Sequence, residues 1–331
     1  MSGGVDSSVA AYLLKGSGYD VTGVTHIVCG DLSSSDAAKA VCDAMGIPHI
    51  TRDLRDDFKR FVMEYFVSSY ECGKTPNPCV MCNKSIKFPR LFDLDEDGAA
   101  ATGHYARIAK CGNRFAIRRG ADKKKDQSYV LWSLSQDQLS RLYFPLGDLT
   151  KSEVREIARS AGLECAESPE SQDICFIPDG NYREFIENYR GEKIKRGKYL
   201  SKDGAFLGEN EGQICYTPGQ GSGLGIALGH KVFVLSKDAE TNTVVLGERE
   251  DVMKKEVRAE NISFMAADDL DRPERLTAKI RYGKNDTAAT VCRTGEDEIT
   301  AVFDEPVFAP AAGQSLVVYD GDIIVCGGVI K

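Results

Sequence analysis

The chain contains no run of the roughly 18 apolar residues needed to cross a bilayer. It has no charged segment leading into an apolar one of the secretory kind. Basic charge is not in surplus: 42 Lys and Arg against 50 Asp and Glu leave a net charge of −8. That balance excludes a histone-like or coat-like protein, which covers nucleic acid with uncompensated cations, although a local basic strip remains compatible with it. No repeat or low-complexity tract occurs. The GxxxxGK[ST] spacing of a Walker A loop is absent, and there is no second CxxC, so a closed zinc site would have to recruit Cys72 and Cys111. These absences point to a cytoplasmic protein with no membrane partner and reduced thiols. Its 11 cysteines are then mostly small buried hydrophobes, and any reactive ones should stand out by context.

What is present is enough for two or three domains in 331 residues. The first half alternates β-like and helical patterns: a helix over 6–15, strands over 21–28 and 47–51, helices over 35–45 and 54–70, a short strand over 99–102, and helices over 152–161 and 182–189. Alternation of this kind predicts an α/β fold with a parallel sheet between helices. Beyond residue 190 glycine becomes frequent and short strand patterns follow one another, at 199–207, 214–217, 231–236, 243–246, 276–282, 288–293, 299–303, 315–320 and 322–329. The expected division is a catalytic α/β domain over 1–190, a small β-rich domain over 191–252 and a C-terminal β-barrel over 253–331.

Four constellations carry chemistry. Ser2-Gly3-Gly4-Val5-Asp6-Ser7-Ser8 runs straight into a helix. Glycines let backbone N–H groups turn inward, hydroxyls add donors, and the helix N-terminus adds positive potential, which together make a phosphate cradle; a plain capped helix is the alternative. Such a loop normally follows a buried strand. Only Met1 precedes it here, so the first strand is expected to be lost or to lie outside this chain. In Lys74-Thr75-Pro76-Asn77-Pro78-Cys79-Val80-Met81-Cys82-Asn83-Lys84, a thiol stands before a helix-like run and close to Lys84 and Lys87, which should lower its pKa. The segment 168–178 holds a single cysteine, Cys175, between polar residues and an apolar pair; on its own it reads as a buried structural thiol. Residues 107–125 carry eight basic side chains opposed only by Asp122, a patch suited to a phosphate backbone or, otherwise, a solvated hairpin.

SGGVDSS, TPNPCVMCNKSIKF, ATGHYAR, KKKDQSYVLW, FPLGDLTKSEVREIA, SQDICFIPDG and GLGIALG occur in this order. The sequence thereby resembles the tRNA-specific 2-thiouridylase family, over nearly its whole length and most densely between residues 70 and 185. SGGxDS alone also occurs in other ATP pyrophosphatases. The resemblance implies an adenine-nucleotide-hydrolase-like (Rossmann-like) N-terminal domain and the replacement of the wobble uridine C2 oxygen by sulfur. ATP, with Mg2+, would adenylate that oxygen, and a persulfide would displace AMP. It implies Cys175 as the persulfide carrier and Cys82 as the second catalytic thiol, resolving the persulfide into a Cys82–Cys175 disulfide. Met1, Ser2, Gly3, Gly4, Val5, Asp6, Ser7, Ser8, His26 and Gly103 would contact ATP. Asn77, Pro78 and Cys79 would face the target base, and His104, Lys125, Asp126, Gln127, Arg281, Tyr282 and Gln314 would contact tRNA. A cysteine desulfurase or a sulfur carrier would supply sulfur. No resident metal is expected.

The chain departs from the family pattern at several points. His26 stands where a methionine is usual, and Cys79 where many members have Asp. Cys79 creates a trio with Cys82 and Cys175 that could bind an iron–sulfur cluster. Gly219–Gly223 lacks the basic pair usual after Gly-Gln, and the segment 92–100 looks shortened. Two other readings are a non-catalytic tRNA-binding homologue and an ATP-pyrophosphatase ligase acting on a small molecule.

Overall fold

The computed structural model describes residues 1–95, 98–167, 174–283 and 286–331; the stretch 168–173 of the Cys175 motif lies outside them. In the N-terminal part, β1 (Gly23–Ile27) and β2 (His49–Asp53) pair in parallel, Gly23 opposite His49. A second parallel ladder joins β3 (Ala100–Ala101) to β6 (Leu142–Tyr143). Helix α2 (Ser33–Met45) packs on β1, and α1 (Val5–Gly16) packs against α2; α2 ends on Gly46 in the left-handed region, φ 62°, where the missing Cβ removes the steric cost. The helix Lys151–Ser160 begins in a capping box, Thr150 and Glu153 satisfying each other's backbone N–H. The helix expected over 54–70 is one run with a π turn, Lys59–Met63, at its centre.

A hairpin follows β3: β4 (Ala106–Cys111) and β5 (Arg114–Arg119). The middle part is a four-stranded sheet in the order β8 (Phe206–Asn210), β7 (Gly197–Ser201), β10 (Thr243–Gly247), β9 (Phe233–Asp238). The strand expected over 199–207 is therefore a hairpin, because Gly204, φ 84°, reverses the chain. Residues 214–217 form no strand: Gln213–Cys215 is a 3-10 turn.

The C-terminal strands are β11 (Met253–Phe264), β12 (Glu274–Lys279), β13 (Thr287–Gly295), β14 (Glu298–Phe308), β15 (Ser315–Asp320) and β16 (Ile323–Ile330). Their order is β11-β14-β13-β12-β15-β16, and β16 pairs back to β11. That closure removes the unpaired edges of an open sheet. Leu276, Val291, Ile299, Phe303, Leu316 and Val318 fill the interior. β11 escaped the sequence reading because charged residues alternate with only Val257 and Ala259 as buried apolar positions, and a register shift interrupts it.

The barrel and the N-terminal domain share one core. Tyr129, Leu131 and Trp132 pack with Met265, Val317, Tyr319 and Ile324. The Trp132 Nε1–H donates to Ser315 Oγ at 2.9 Å and the Tyr129 hydroxyl to the Ser315 carbonyl at 2.8 Å. Strand β5 also touches the barrel sheet, Arg118 opposite Ile323. Arginines of the basic strip take part in this docking. Arg114 donates to the carbonyls of Phe264 and Met265 and pairs with Asp268. Arg119 pairs with Asp286 and lies 3.8 Å over the Tyr319 ring, and Arg107 holds the Arg119 carbonyl and Asp148. Three arginines of the strip thus fasten the hairpin, leaving Lys110, Arg118, Lys123 and Lys124 as its exposed cations.

A Cβ on Gly327 would lie 2.7 Å from the Trp132 ring. Gly327→Ala should overpack this joint and cost roughly 1–3 kcal/mol, read as a lowered Tm; an unchanged Tm would show that the joint is loose.

Candidate active site

The glycine turn behaves as its residue types require. Gly4 precedes α1 with no side-chain cap on the first-turn amides, which are therefore available to an anion. Gly3 adopts φ 74°, and a Cβ there would sit 2.8 Å from Ala37. The Ser7 and Ser8 hydroxyls both donate to the Gly4 carbonyl. The backbone nitrogen of Met1 bonds the Val24 carbonyl of β1. Val5 and Ser8 are buried, so only their backbones can reach a ligand. Gly103 seals the turn from the other side: a Cβ would lie 2.8 Å from the Asp6 carbonyl carbon.

Lys151 is a site residue that motif reading quoted, within FPLGDLTKSEVREIA, but did not single out. Its ammonium lies 2.7 and 2.8 Å from the two Asp6 carboxylate oxygens, and the Tyr105 hydroxyl donates to the same carboxylate at 2.8 Å. The signal was a lysine at the start of a capped helix. His26, on β1, is held uncharged, its pKa lowered to about 4 by burial and then by the positive groups of Met1, Arg52, Lys87 and Arg90. Its Nε2 has no hydrogen-bond partner among the described residues.

The thiol segment is a helix from its beginning. Asn77 caps Pro78–Cys82, its side chain accepting from Val80 N–H, and Pro78 occupies the first turn. The chain continues through a π turn, Asn83–Lys87, into Phe88–Phe92. Cys79 therefore lies in the first helical turn and Cys82 inside the run. The expected lowering of their pKa does not occur. Burial pushes both thiols up, and the opposing field of Lys87 is weaker.

The fold brings Cys175 to this helix, within the electrostatic reach of Cys82 and Cys79. It also brings a thiol that sequence reasoning missed. Cys29, two residues past β1, donates from Sγ to the Cys175 carbonyl at 3.5 Å, and the two thiols hydrogen-bond each other. Cys29 is lowered to about 7 by that bond against the opposing effect of burial, while Cys175 is raised by the same bond and by burial. Nothing in the VCGD context marked Cys29. Among the described residues no three His, Cys, Asp or Glu are arranged to hold a metal ion.

The residues expected at tRNA divide into two groups. Tyr282 is 46% exposed, lies close enough to Cys79 for the two to interact electrostatically, and has its ring centroid 6.1 Å from that of Tyr129. The others act as internal ties. Gln314 Nε2–H donates to the carbonyls of Thr75 and Pro76. Arg281 donates to the carbonyls of Pro218 and Ala309. The Gln127 side chain accepts from Tyr105 N–H, and Asp126 from Gly120 and Ser128. Lys125 lies at the hairpin's end, half-buried. His104 is buried at 8% exposure, hydrogen-bonded to Thr102 and stacked on Phe88, and burial keeps it neutral. Its imidazole lies inside the protein.

A nucleotide-type α/β domain with a glycine turn before a helix, a capped helix bearing two cysteines and two β modules behind it give the chain a three-part architecture. Family models agree: a "tRNA methyl transferase HUP domain" matches residues 1–179, a "tRNA methyl transferase PRC-barrel domain" residues 183–248 and an "Aminomethyltransferase beta-barrel domain" residues 254–330. The chain belongs to the tRNA-specific 2-thiouridylase family. It is 44% identical over 348 aligned positions to tRNA-specific 2-thiouridylase MnmA of Lachnoclostridium phytofermentans, covering 100% of this chain and 98% of the relative. It is 43% identical to the Clostridioides difficile protein of that name, covering 100% and 96%. NMN synthetase from Francisella tularensis superposes on 59% of this chain and 76% of its own, at 17% identity and a TM-score of 0.33, too low to carry an argument. Family membership makes this an enzyme, a tRNA sulfurtransferase. No helix among the described residues is long and apolar enough to cross a membrane.

Two predictions follow from the geometry. Lys151→Met should leave the Asp6 carboxylate without its cation, costing roughly 1.5–3 kcal/mol of stability by chemical denaturation and weakening ATP-dependent adenylation. Iodoacetamide should alkylate Cys29 before Cys82. Because its pKa is depressed, Cys29 labelling should be complete above about pH 7 and fall roughly tenfold per unit below it; peptide mass mapping reads the order.

Proposed function

We propose that the glycine turn, Gly103 and His26 hold ATP and its Mg2+ against the amides of α1, with Lys151 released from Asp6 to meet the phosphates. The wobble uridine is flipped from its stack and enters beside Cys79, where Tyr282 offers a ring to stack on, and Asn77 and Pro78 shape the base pocket. ATP adenylates the C2 oxygen, a poor leaving group until activated. A persulfide on Cys175 attacks C2 and AMP departs; the uridine stays joined to Cys175 through the transferred sulfur until a thiolate attacks Cys175 Sγ, forming a disulfide and releasing 2-thiouridine. Cys82 is the second catalytic thiol. Sulfur comes from a cysteine desulfurase or a carrier protein in the cytoplasm.

One observation supports this reading best: Gly103 lies against Asp6 of the glycine turn, while its neighbour His104 stacks on Phe88, with ring centroids 5.9 Å apart, in the run that continues from the thiol helix. The nucleotide turn and the thiol segment are thereby linked through two adjacent residues. The Cys175 thiol, held protonated by burial and by Cys29, becomes a strong nucleophile only when a second sulfur is attached, since a persulfide is more acidic than a thiol. Among the described residues Cys79, Cys82 and Cys175 are not arranged as a metal-ligand set.

ATP-dependent incorporation of labelled sulfur into tRNA tests the reading. Cys82→Ser and Cys175→Ser should each abolish it while tRNA-dependent pyrophosphate release persists; thiolation surviving in either variant defeats the persulfide mechanism. A chain that binds tRNA yet releases no pyrophosphate would be a non-catalytic homologue.

A further inference from the structure

The middle sheet sends a buried cation into the N-terminal domain. Lys237 lies on β9, and among the described residues its buried Nζ has no hydrogen-bond partner. A buried ammonium without a carboxylate is costly, so its surroundings call for an account. It lies 5.4 Å from the centroid of the Tyr70 ring, an attraction that is strongest where water is excluded. Burial lowers its pKa to about 8, which leaves it charged at neutral pH. Gln213, of the same module and 4% exposed, donates from Nε2 to the carbonyls of Tyr70 and Glu71 at 3.1 and 3.3 Å. These are open carbonyls at the end of the helix Glu64–Glu71, where the helix dipole favours a cation.

Tyr70 is also one end of a chain of rings that leads to Cys175. It stacks on Tyr182 with centroids 4.9 Å apart and meets Phe66 at 5.0 Å. Phe66 meets Phe176 edge to face at 5.3 Å, and Phe176 is the residue after Cys175. Phe176 is held further by Phe58 and Phe185, at 5.5 and 5.0 Å. Cys82 borders the same cluster. Arg190, at the far end of the helix Tyr182–Arg190, pairs with Glu64 and Glu71. The arm that follows Cys175 and the arm that leads to Cys82 are thus joined through Tyr70 and Tyr182, and the middle module grips that joint.

We propose that Lys237 is a positioning residue for sulfur transfer: it pins Tyr70 from the middle module and, through the ring stack, fixes Cys175 relative to Cys82 and the uridine. This assignment rests on the persulfide reading above. Packed rings of this kind carry a displacement from one end to the other, and attack by a sulfur is sensitive to errors of about 1 Å in its placement. Activation of the uridine is spared, because the barrel holds Thr75 and Pro76, and with them the Asn77 cap, through Gln314.

The test separates the two half-reactions. Enzyme is loaded with labelled sulfur from a cysteine desulfurase and labelled cysteine, then mixed with tRNA, ATP and Mg2+ for a single turnover. Pyrophosphate release reads adenylation, and label on tRNA reads sulfur transfer. In Lys237→Met, label transfer should slow roughly tenfold or more while pyrophosphate release keeps its wild-type rate. Lys237→Arg, which returns a cation to the Tyr70 ring, should recover most of the loss. If Lys237→Met does not fold, Gln213→Leu carries the test: it frees the Tyr70 and Glu71 carbonyls, leaves Lys237 in place and should show the same split. A purely structural role lowers Tm and slows both half-reactions alike. That result overturns the assignment, as does wild-type label transfer in Lys237→Met or a Lys237→Arg variant as slow as Lys237→Met. Label absent from Cys175 in wild-type enzyme that still thiolates tRNA overturns the persulfide reading itself.

Discussion

The reactive part of the molecule depends on a backbone clamp between the barrel and the segment that leads into the thiol helix. Thr75 N–H donates to the Ala312 carbonyl at 2.7 Å, Gln314 holds the carbonyls of Thr75 and Pro76, and Gly313 lets the two loops approach so closely that a Cβ would lie 3.0 Å from the Thr75 oxygen. These contacts satisfy a proline-bearing stretch that has few donors of its own. They fix where Asn77 can cap the helix, and hence where Cys79 and Cys82 stand. The barrel thereby positions the segment that bears Cys79 and Cys82.

Joining the domains in this way consumes charge. Arginines 107, 114 and 119 look like an RNA footprint in one dimension. In three dimensions the guanidinium groups of Arg114 and Arg119 meet carbonyls, carboxylates and the Tyr319 ring across the joint with the barrel, and that of Arg107 holds the Arg119 carbonyl and Asp148 behind it. Arginine suits both tasks, since its planar donors bind carbonyls or phosphates equally well, and residue type alone cannot choose between them. Arg281 and Gln314 show the same ambiguity, each being bonded to backbone oxygens.

The thiols display a contest between charge and burial. Lys87 acts on both Cys79 and Cys82 in the direction expected from the sequence, but desolvation is larger and the pKa values rise. The exception is Cys29, where a neighbouring thiol donates a hydrogen bond and outweighs burial. A group with no distinguishing neighbours in the chain thus acquires its character from one 146 positions away.

The linear sequence by itself determined the cradle, the capped helices, the α/β-then-β architecture and the family, because each depends on residues a few positions apart: glycines before a helix, Thr150 with Glu153, and motifs in fixed order. It also marked Cys82 and Cys175. Only the tertiary structure decided that Lys151 faces Asp6, that residues 199–207 fold back as a hairpin, that His104 is inside, that Cys29 meets Cys175, and that burial overrides Lys87. Those outcomes depend on desolvation and on contacts between distant segments, quantities that local spacing does not encode.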